Sequence, residues 1–279
     1  MNTFKKTTLA LAISALAGGA MAQSAPAPAP EPEKSPITAN VTVVNDYRYR
    51  GISQSNFNPA IQGGFDYAHD SGFYIGNWNS SISWITDQFG PANNGPIKSA
   101  PIEMDFYAGF KKELIAPGFA SDIGVLQYYY PISGVIDTST FKNFNTTEIY
   151  AAQNFTAGPV TGFLKFSYAV TTLFGFYGST GSNYTDLTLN YDTGIWGITA
   201  NAHVGYQYFA GSNASNVSNS SLYTYTDWKL GLTKDFGGGL SLSAAYVDTN
   251  AKSANWTYSN TSSKNLGGAG AVVALTKTF

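Results

Sequence analysis

From Ile37 to Phe279 the chain is a succession of alternating apolar and polar runs. Residues 196–208 are the clearest. Trp196, Ile198, Ala200, Ala202, Val204, Tyr206 and Tyr208 share one parity, while Gly197, Thr199, Asn201, His203, Gly205 and Gln207 share the other. A period of two is that of a β-strand, and this run exceeds the roughly 9 to 11 residues a tilted strand needs to cross hydrocarbon. The same alternation predicts strands over residues 37–50, 102–111, 160–168, 186–191, 227–232 and 240–246. Further strands are expected at 60–68, 146–155 and 268–279. Residues 73–84 and 119–130 carry apolar side chains on both parities, which predicts a bulge or a partly filled interior.

The connectors sort by length. Tight turns fall at 69–72, 156–159, 192–195 and 235–239, and Asn/Ser/Gly-rich stretches fall at 85–99, 131–145, 171–183, 209–221 and 248–267. Short turns on one side and long loops on the other mark a transmembrane barrel, whose periplasmic turns are short and extracellular loops long. The fold class expected is therefore all-β: an antiparallel up-and-down transmembrane β-barrel of about twelve strands, with both termini periplasmic.

Charge decides which face is which. An Arg or Lys facing lipid near the bilayer midplane costs about 2–4 kcal/mol, so the charged parity must line the lumen. This gives Asp46, Arg48, Arg50, Asp66, Glu103, Asp105, Glu148, Lys165, Asp186, Asp227 and Lys229 as candidate lumen or constriction residues, with His203 beside Asn201 on the same parity. Residues 37–50 would put Asp46, Arg48 and Arg50 at successive levels of the first strand, with Tyr47 and Tyr49 toward lipid and Gly51 opening the first external loop. Such a ladder either stiffens the wall through paired charges or forms a charged constriction that selects solutes. Acids outnumber bases among these positions, which points to a weak cation preference. Tyr128, Tyr129 and Tyr130 either stack sugars or contribute to the aromatic interface girdle.

Composition supports the barrel more than hydropathy does. Mean hydropathy is -0.11, yet only 11% of residues are charged and 15% aromatic, with 19 Tyr and 18 Phe. A soluble domain carries about a quarter charged residues. With no Cys and two His, disulfides and Cys- or His-rich metal centres are not expected, and no cofactor is. Ser241, Ser243 and the Asp186/Asp227 carboxylates lack the context of a nucleophilic or glycosidase site, and His203 reads as a solvated lumen side chain. The N-x-S/T triplets at Asn145, Asn183 and Asn213 read as loop composition. Residues 1–22 have a basic start (Lys5, Lys6), an apolar core and Ala20-Met21-Ala22, a signal peptide with cleavage expected after Ala22. Residues 23–36 form a Pro/Ala-rich periplasmic linker, and 37–279 the barrel. Removing Lys5 and Lys6 leaves 13 basic against 17 acidic residues, which suggests no nucleic-acid partner. The expected partners are outer-membrane lipid, small solutes or ions, and the assembly machinery that reads a last strand ending in Phe279.

The block Asn45-Asp46-Tyr47-Arg48-Tyr49-Arg50-Gly51-Ile52-Ser53-Gln54-Ser55, continuing through Gly63-Gly64-Phe65-Asp66-Tyr67 to Gly76-Asn77-Trp78, resembles the TorF family of bacterial porins. Family members more often have Ser before the Asp and Phe between the two Arg, where this chain has Asn45 and Tyr49. The resemblance implies an outer-membrane porin-like channel, not an enzyme, in a Gram-negative bacterium. A non-conducting barrel acting through its external loops is the alternative, and a barrel hydrolase ranks third.

Overall fold

The computed structural model describes residues 35–93, 95–134, 143–257 and 264–279. The expected signal peptide (1–22) and all but the last two residues of the linker (23–36) lie outside them. Twelve strands close a barrel: β1 (Ile37–Val44), β2 (Ala60–Ala68), β3 (Phe73–Ser81), β4 (Ile102–Ala116), β5 (Phe119–Tyr129), β6 (Thr146–Ala157), β7 (Val160–Ala169), β8 (Asn183–Asp192), β9 (Ile198–Tyr208), β10 (Tyr225–Asp235), β11 (Leu240–Thr249) and β12 (Gly270–Thr278). Every neighbour is antiparallel and sequential. β1 closes on β12 in the register Asn40↔Thr278 to Val44↔Ala274. The expected up-and-down fold is what forms. Its turns at one end are short, including the one at 117–118 between β4 and β5, and its connections at the other are long.

The outer face is apolar along every strand. Val41, Val43, Ile61, Phe106, Ile123, Leu164, Val204, Leu230 and Leu275 are all exposed. Tyr129, Tyr168, Tyr206 and Tyr246 ring the belt at the long-loop end, and Tyr191, Trp196, Phe236 and Phe279 at the other. In water this continuous apolar surface would be a liability; in a bilayer it is the solvated face, with aromatic girdles at both interfaces. Leu230 lies at the middle of β10 and is 63% exposed. Leu230→Arg should lower unfolding free energy by about 2–4 kcal/mol, and Leu240→Arg, at the short-turn end, by about 0–1. Urea titrations in lipid vesicles would check this; equal costs at both depths would mean the belt does not contact hydrocarbon.

The first strand ends earlier than its alternation predicts. β1 stops at Val44. Asn45 then takes over the edge of β12 with its side chain, donating from Nδ2 to Ala271 O (3.0 Å) and accepting from Val273 N–H (2.6 Å). The chain beyond it turns inward as a short ribbon, Arg48–Tyr49 pairing with Ile52–Ser53. Arg50 (φ 47°) and Gly51 (φ 78°) make its tight end. Gly51 is buried rather than opening an external loop, and a Cβ there would collide with Thr249 and Asp227. Tyr47, expected to face lipid, is buried inside and packs edge-on against Trp78. Tyr49 also lies inside, against Tyr128 and Phe174.

The other long connections also pack over this end. Ile85 in the helix Trp84–Phe89, then Ile97, Leu173, Phe209, Trp256 and Leu266, are all buried. They form two apolar clusters, one around Tyr47, Trp78, Tyr128, Tyr130 and Phe144, the other around Ile52, Leu173, Phe209, Tyr225 and Trp256. The doubled apolar parity of 73–84 and 119–130 follows from this filling. Phe73, Ile75, Ile123 and Val125 face out while Trp78 and Tyr128 face in, and Trp84 and Tyr130 have left their strands. The bulge in this region sits between Glu113 and Ala116 at the short-turn end. Of the three tyrosines at 128–130, only Tyr129 belongs to the girdle.

Candidate lumen site

The inward ribbon spans the lumen. Arg50 starts from the β1–β2 connection and reaches the far wall, where Nη2 meets Glu148 Oε2 on β6 (2.7 Å) and Nη1 donates to Gln207 Oε1 on β9 (2.7 Å). Its guanidinium lies over the rings of Tyr49 (4.9 Å) and Tyr184 (4.3 Å). A planar, forked cation can hold two acceptors while stacking between aromatic faces, which a lysine cannot. Burial works against the charge, but Glu148, Tyr49 and Tyr128 outweigh it and push the Arg50 pKa above its ordinary value.

A second anchor lies on the near side. Arg48 pairs with Asp46 (2.5 Å) and donates from Nη1 to the carbonyls of Gly51, Leu266 and Gly268, tying the ribbon to the last long connection. Ser53 Oγ donates to the other Asp46 oxygen (2.6 Å). A third anchor is Glu103 on β4, which accepts hydroxyls from Tyr47 (2.5 Å) and Tyr130 (2.6 Å). Burial, then the charge of Glu103, raises both tyrosine pKa values above their ordinary range and keeps them donors.

Below the ribbon the wall follows one repeated device. A lumen tyrosine lies flat across a glycine of the adjacent strand and delivers its hydroxyl to a carboxylate one strand further on. Tyr184 crosses Gly205 to Asp227 (2.9 Å), Tyr107 crosses Gly76 to Asp66 (2.5 Å), and Tyr74 crosses Gly109 to Asp122 (2.6 Å). Tyr150 crosses Gly124 and meets the Tyr74 hydroxyl. At each glycine a Cβ would overlap the ring or hydroxyl above it. Only a missing side chain lets the phenol lie this close to the wall.

Of the candidate residues, Asp46, Arg48, Arg50, Glu103, Asp105, Glu148 and Asp227 are buried within the barrel, and they do not make one ladder. Asp46, Arg48 and Arg50 belong to the inward ribbon rather than to β1, so the expectation that they stack on the first strand is corrected. Asp66 lies near the short-turn end with Tyr107, away from them. His203 is not solvated: it bridges Asp186 (2.9 Å) and Asp227 (2.7 Å), with Tyr184 and Thr188 also in reach. Lys229 sits opposite His203 in the β9–β10 register, and Lys165 lies 4.0 Å above the Tyr150 ring. Asp105 is buried with its Oδ1 unpartnered. Sequence reading missed Asp122, although Ile123 and Val125 set its parity, because Leu126, Tyr128 and Tyr130 blurred the alternation. It also missed Gln207 and Tyr184 as partners of Arg50, for which no local signal exists.

Between the two apolar clusters, above Arg50, is a pocket partly open to solvent. Rings of Tyr49, Trp84, Phe89, Tyr130, Phe174, Phe176, Phe209, Tyr225 and Trp256 line it, with Arg50, Ser53, Gln54, Gln88 and Gln207 among them. Among the described residues there is no group of three or more acidic or His side chains placed to hold a metal ion.

No curated protein matches this sequence. Among solved structures, a KdgM porin superposes with TM-score 0.49 at 7% identity, covering 87% of this chain and 98% of its own. LpxR from Salmonella typhimurium gives 0.42 at 10% identity over 87% and 99%, and the outer membrane protein opdK from Pseudomonas aeruginosa 0.40 at 9% over 80% and 58%. Values this low transfer nothing about cargo or chemistry. The sequence itself is matched over residues 30–279 by one family model, and the chain belongs to that family, the bacterial proteins of unknown function called Gcw_chp.

Proposed function

We propose that this protein is a porin-like outer-membrane channel, akin to the TorF porins it resembles, that passes small polar solutes or ions with a weak cation preference. The observation that carries this reading is the transverse bar: a loop from one wall pinned to the other by Arg50, Glu148 and Gln207 inside a polar, charged lumen. A barrel that only needed to be filled could use apolar side chains, as eight-stranded barrels do. A bar of charges at one level is the form a selectivity constriction takes. The acidic side chains Asp66, Glu103, Asp105, Asp122, Glu148, Asp186 and Asp227 outnumber the cations on the same walls, which favours cations. On this reading residues 1–22 direct export, with cleavage after Ala22, residues 23–36 stay in the periplasm as a spacer, and the strand ending in Phe279 is read by the assembly machinery. No step is assigned to His203 or to the lumen serines, and the protein is not an enzyme.

The aromatic packing of the long connections over the mouth favours a second reading, a non-conducting barrel that acts through its loops. Single-channel recording on the purified protein in planar bilayers separates the two. The channel reading expects discrete steps and, in a tenfold KCl gradient, a reversal potential on the cation side. Flat traces from protein that still shows a heat-dependent gel shift would leave the second reading standing.

A further inference from the structure

Around His203 the hydrogen bonds run in an order that fixes the charge of the ring. Nδ1 lies 2.9 Å from Asp186 Oδ1, and Nε2 lies 2.7 Å from Asp227 Oδ2. The two hydroxyls within reach of the ring point their protons elsewhere: Thr188 donates to Asp186 and Tyr184 to Asp227, each at 2.9 Å. Each ring nitrogen therefore faces acceptors only. A neutral imidazole has one N–H, and its other nitrogen would set a lone pair against a carboxylate oxygen. Only the imidazolium has two donors to give. The lysines nearby do not take its place. Lys229 stands opposite His203 in the β9–β10 register and Lys165 opposite Asp186 in the β7–β8 register, yet among the described residues neither lysine forms an ion pair. The same cluster carries the bar. Tyr184, with its hydroxyl on Asp227, holds its ring 4.3 Å from the Arg50 guanidinium. The tip of the ribbon rests on Asp227 itself, since a Cβ at Gly51 would come within 2.6 Å of the Asp227 Cβ.

We propose that His203 is a proton site that latches the bar: the bound proton makes the ring a cation, the cation holds Asp186 and Asp227 together, and Asp227 seats both Tyr184 and the ribbon tip. When the proton leaves to lumen water, one N–H remains between two carboxylates. One carboxylate then loses its donor and the pair repels, so the seat under Gly51 and Arg50 loosens. The charged and titratable groups facing the ring are Tyr184 and Asp186 of β8 and Asp227 and Lys229 of β10, with Lys165 of β7 and Arg50 of the ribbon one neighbour further out. His203→Gln removes the cation and leaves both acids in place. The inference goes beyond the channel reading and stands whether or not the lumen conducts.

The test is nitrogen NMR of the histidine rings in the full protein in lipid nanodiscs, with His69→Gln leaving His203 as the one histidine observed. At neutral pH both ring nitrogens of His203 should read as protonated. In Asp227→Asn, which keeps the shape and removes one charge, the pH of proton release should fall by about one unit or more. Hydrogen exchange then reads the latch. Across the pH of proton release, exchange of the ribbon amides at 48–53, relative to those of β1 at 37–44, should rise about tenfold, since a hydrogen bond to a charged group is worth at least that factor. His203→Gln should show the faster ratio at every pH and no step. A neutral ring at neutral pH, an unchanged release in Asp227→Asn, or a ribbon ratio that stays flat through the release would each overturn the proposal. The native protein alone gives the ring charge and the exchange step, so the result holds even if a variant does not fold.

Discussion

In planar bilayers, Arg50→Ala is expected to raise single-channel conductance about threefold or more, because it removes the bar that crosses the lumen at its charged level. In the native barrel the guanidinium closes the space between β6 and β9 by touching Glu148 and Gln207 at 2.7 Å each, with Tyr49 and Tyr184 stacked on it. Alanine deletes all four contacts and lets the ribbon tip move, while Arg48 keeps its base tied to Leu266 and Gly268. The change also strands Glu148, already with one unpartnered oxygen, as an uncompensated buried acid. Removing one partner of a buried ion pair costs about 3–5 kcal/mol, so the urea midpoint should fall as conductance rises. Glu148→Gln separates the effects: it keeps a hydrogen-bond acceptor for Arg50, so conductance should change little while cation preference drops. If Arg50→Ala leaves conductance as it was, the narrowest level lies elsewhere. Arg50→Lys should behave nearer to alanine than to arginine, since a point charge cannot hold both acceptors and stack.

The barrel and its two faces are legible because both depend on a local property, the two-residue period, and on one large energy, the cost of charge in lipid. Trp228, Leu230 and Leu232 cannot face inward while Asp227 and Lys229 face out, so parity alone places them. The ribbon was not legible for a related reason. Tyr47-Arg48-Tyr49-Arg50 keeps the alternation of β1, and nothing in its period distinguishes a strand that continues from one that folds back to make a new hairpin. The cues were Asn45, whose side chain can replace a backbone partner at the strand's edge, and Gly51, which permits the positive φ of the tight end. Arg48 and Arg50 lie inside the barrel either way, because their charge is excluded from lipid. What the sequence could not supply is register. Glu148 meets Arg50, and Tyr184 meets Asp227, across 98 and 43 residues of chain.

That dependence on register makes the glycines the sharpest test of the wall. Gly205 lies at lumen parity, where composition alone would read it as a weak point of the strand. The structure gives it a positive role, since Tyr184 lies over it to reach Asp227 and His203. Gly205→Val is therefore expected to cost about 2.5–6 kcal/mol, combining an overpacking cost of about 1–3 with the loss of a hydrogen bond to a buried carboxylate, about 1.5–3. The displaced ring would also leave one face of Arg50, so the bar should loosen and conductance become noisy. Tyr184→Phe isolates the second part: the ring stays over Gly205 and under Arg50, and because Asp227 keeps His203 (2.7 Å) the loss should fall at the lower end of that range, about 1.5–2 kcal/mol. Combining the two changes should cost less than their sum, because valine can then displace only a ring that has already lost its hydroxyl contact. Urea unfolding of the three variants in vesicles measures all of this. Additive costs, or a Gly205→Val barrel as stable as the native one, would mean that tyrosine, glycine and carboxylate do not act as a unit.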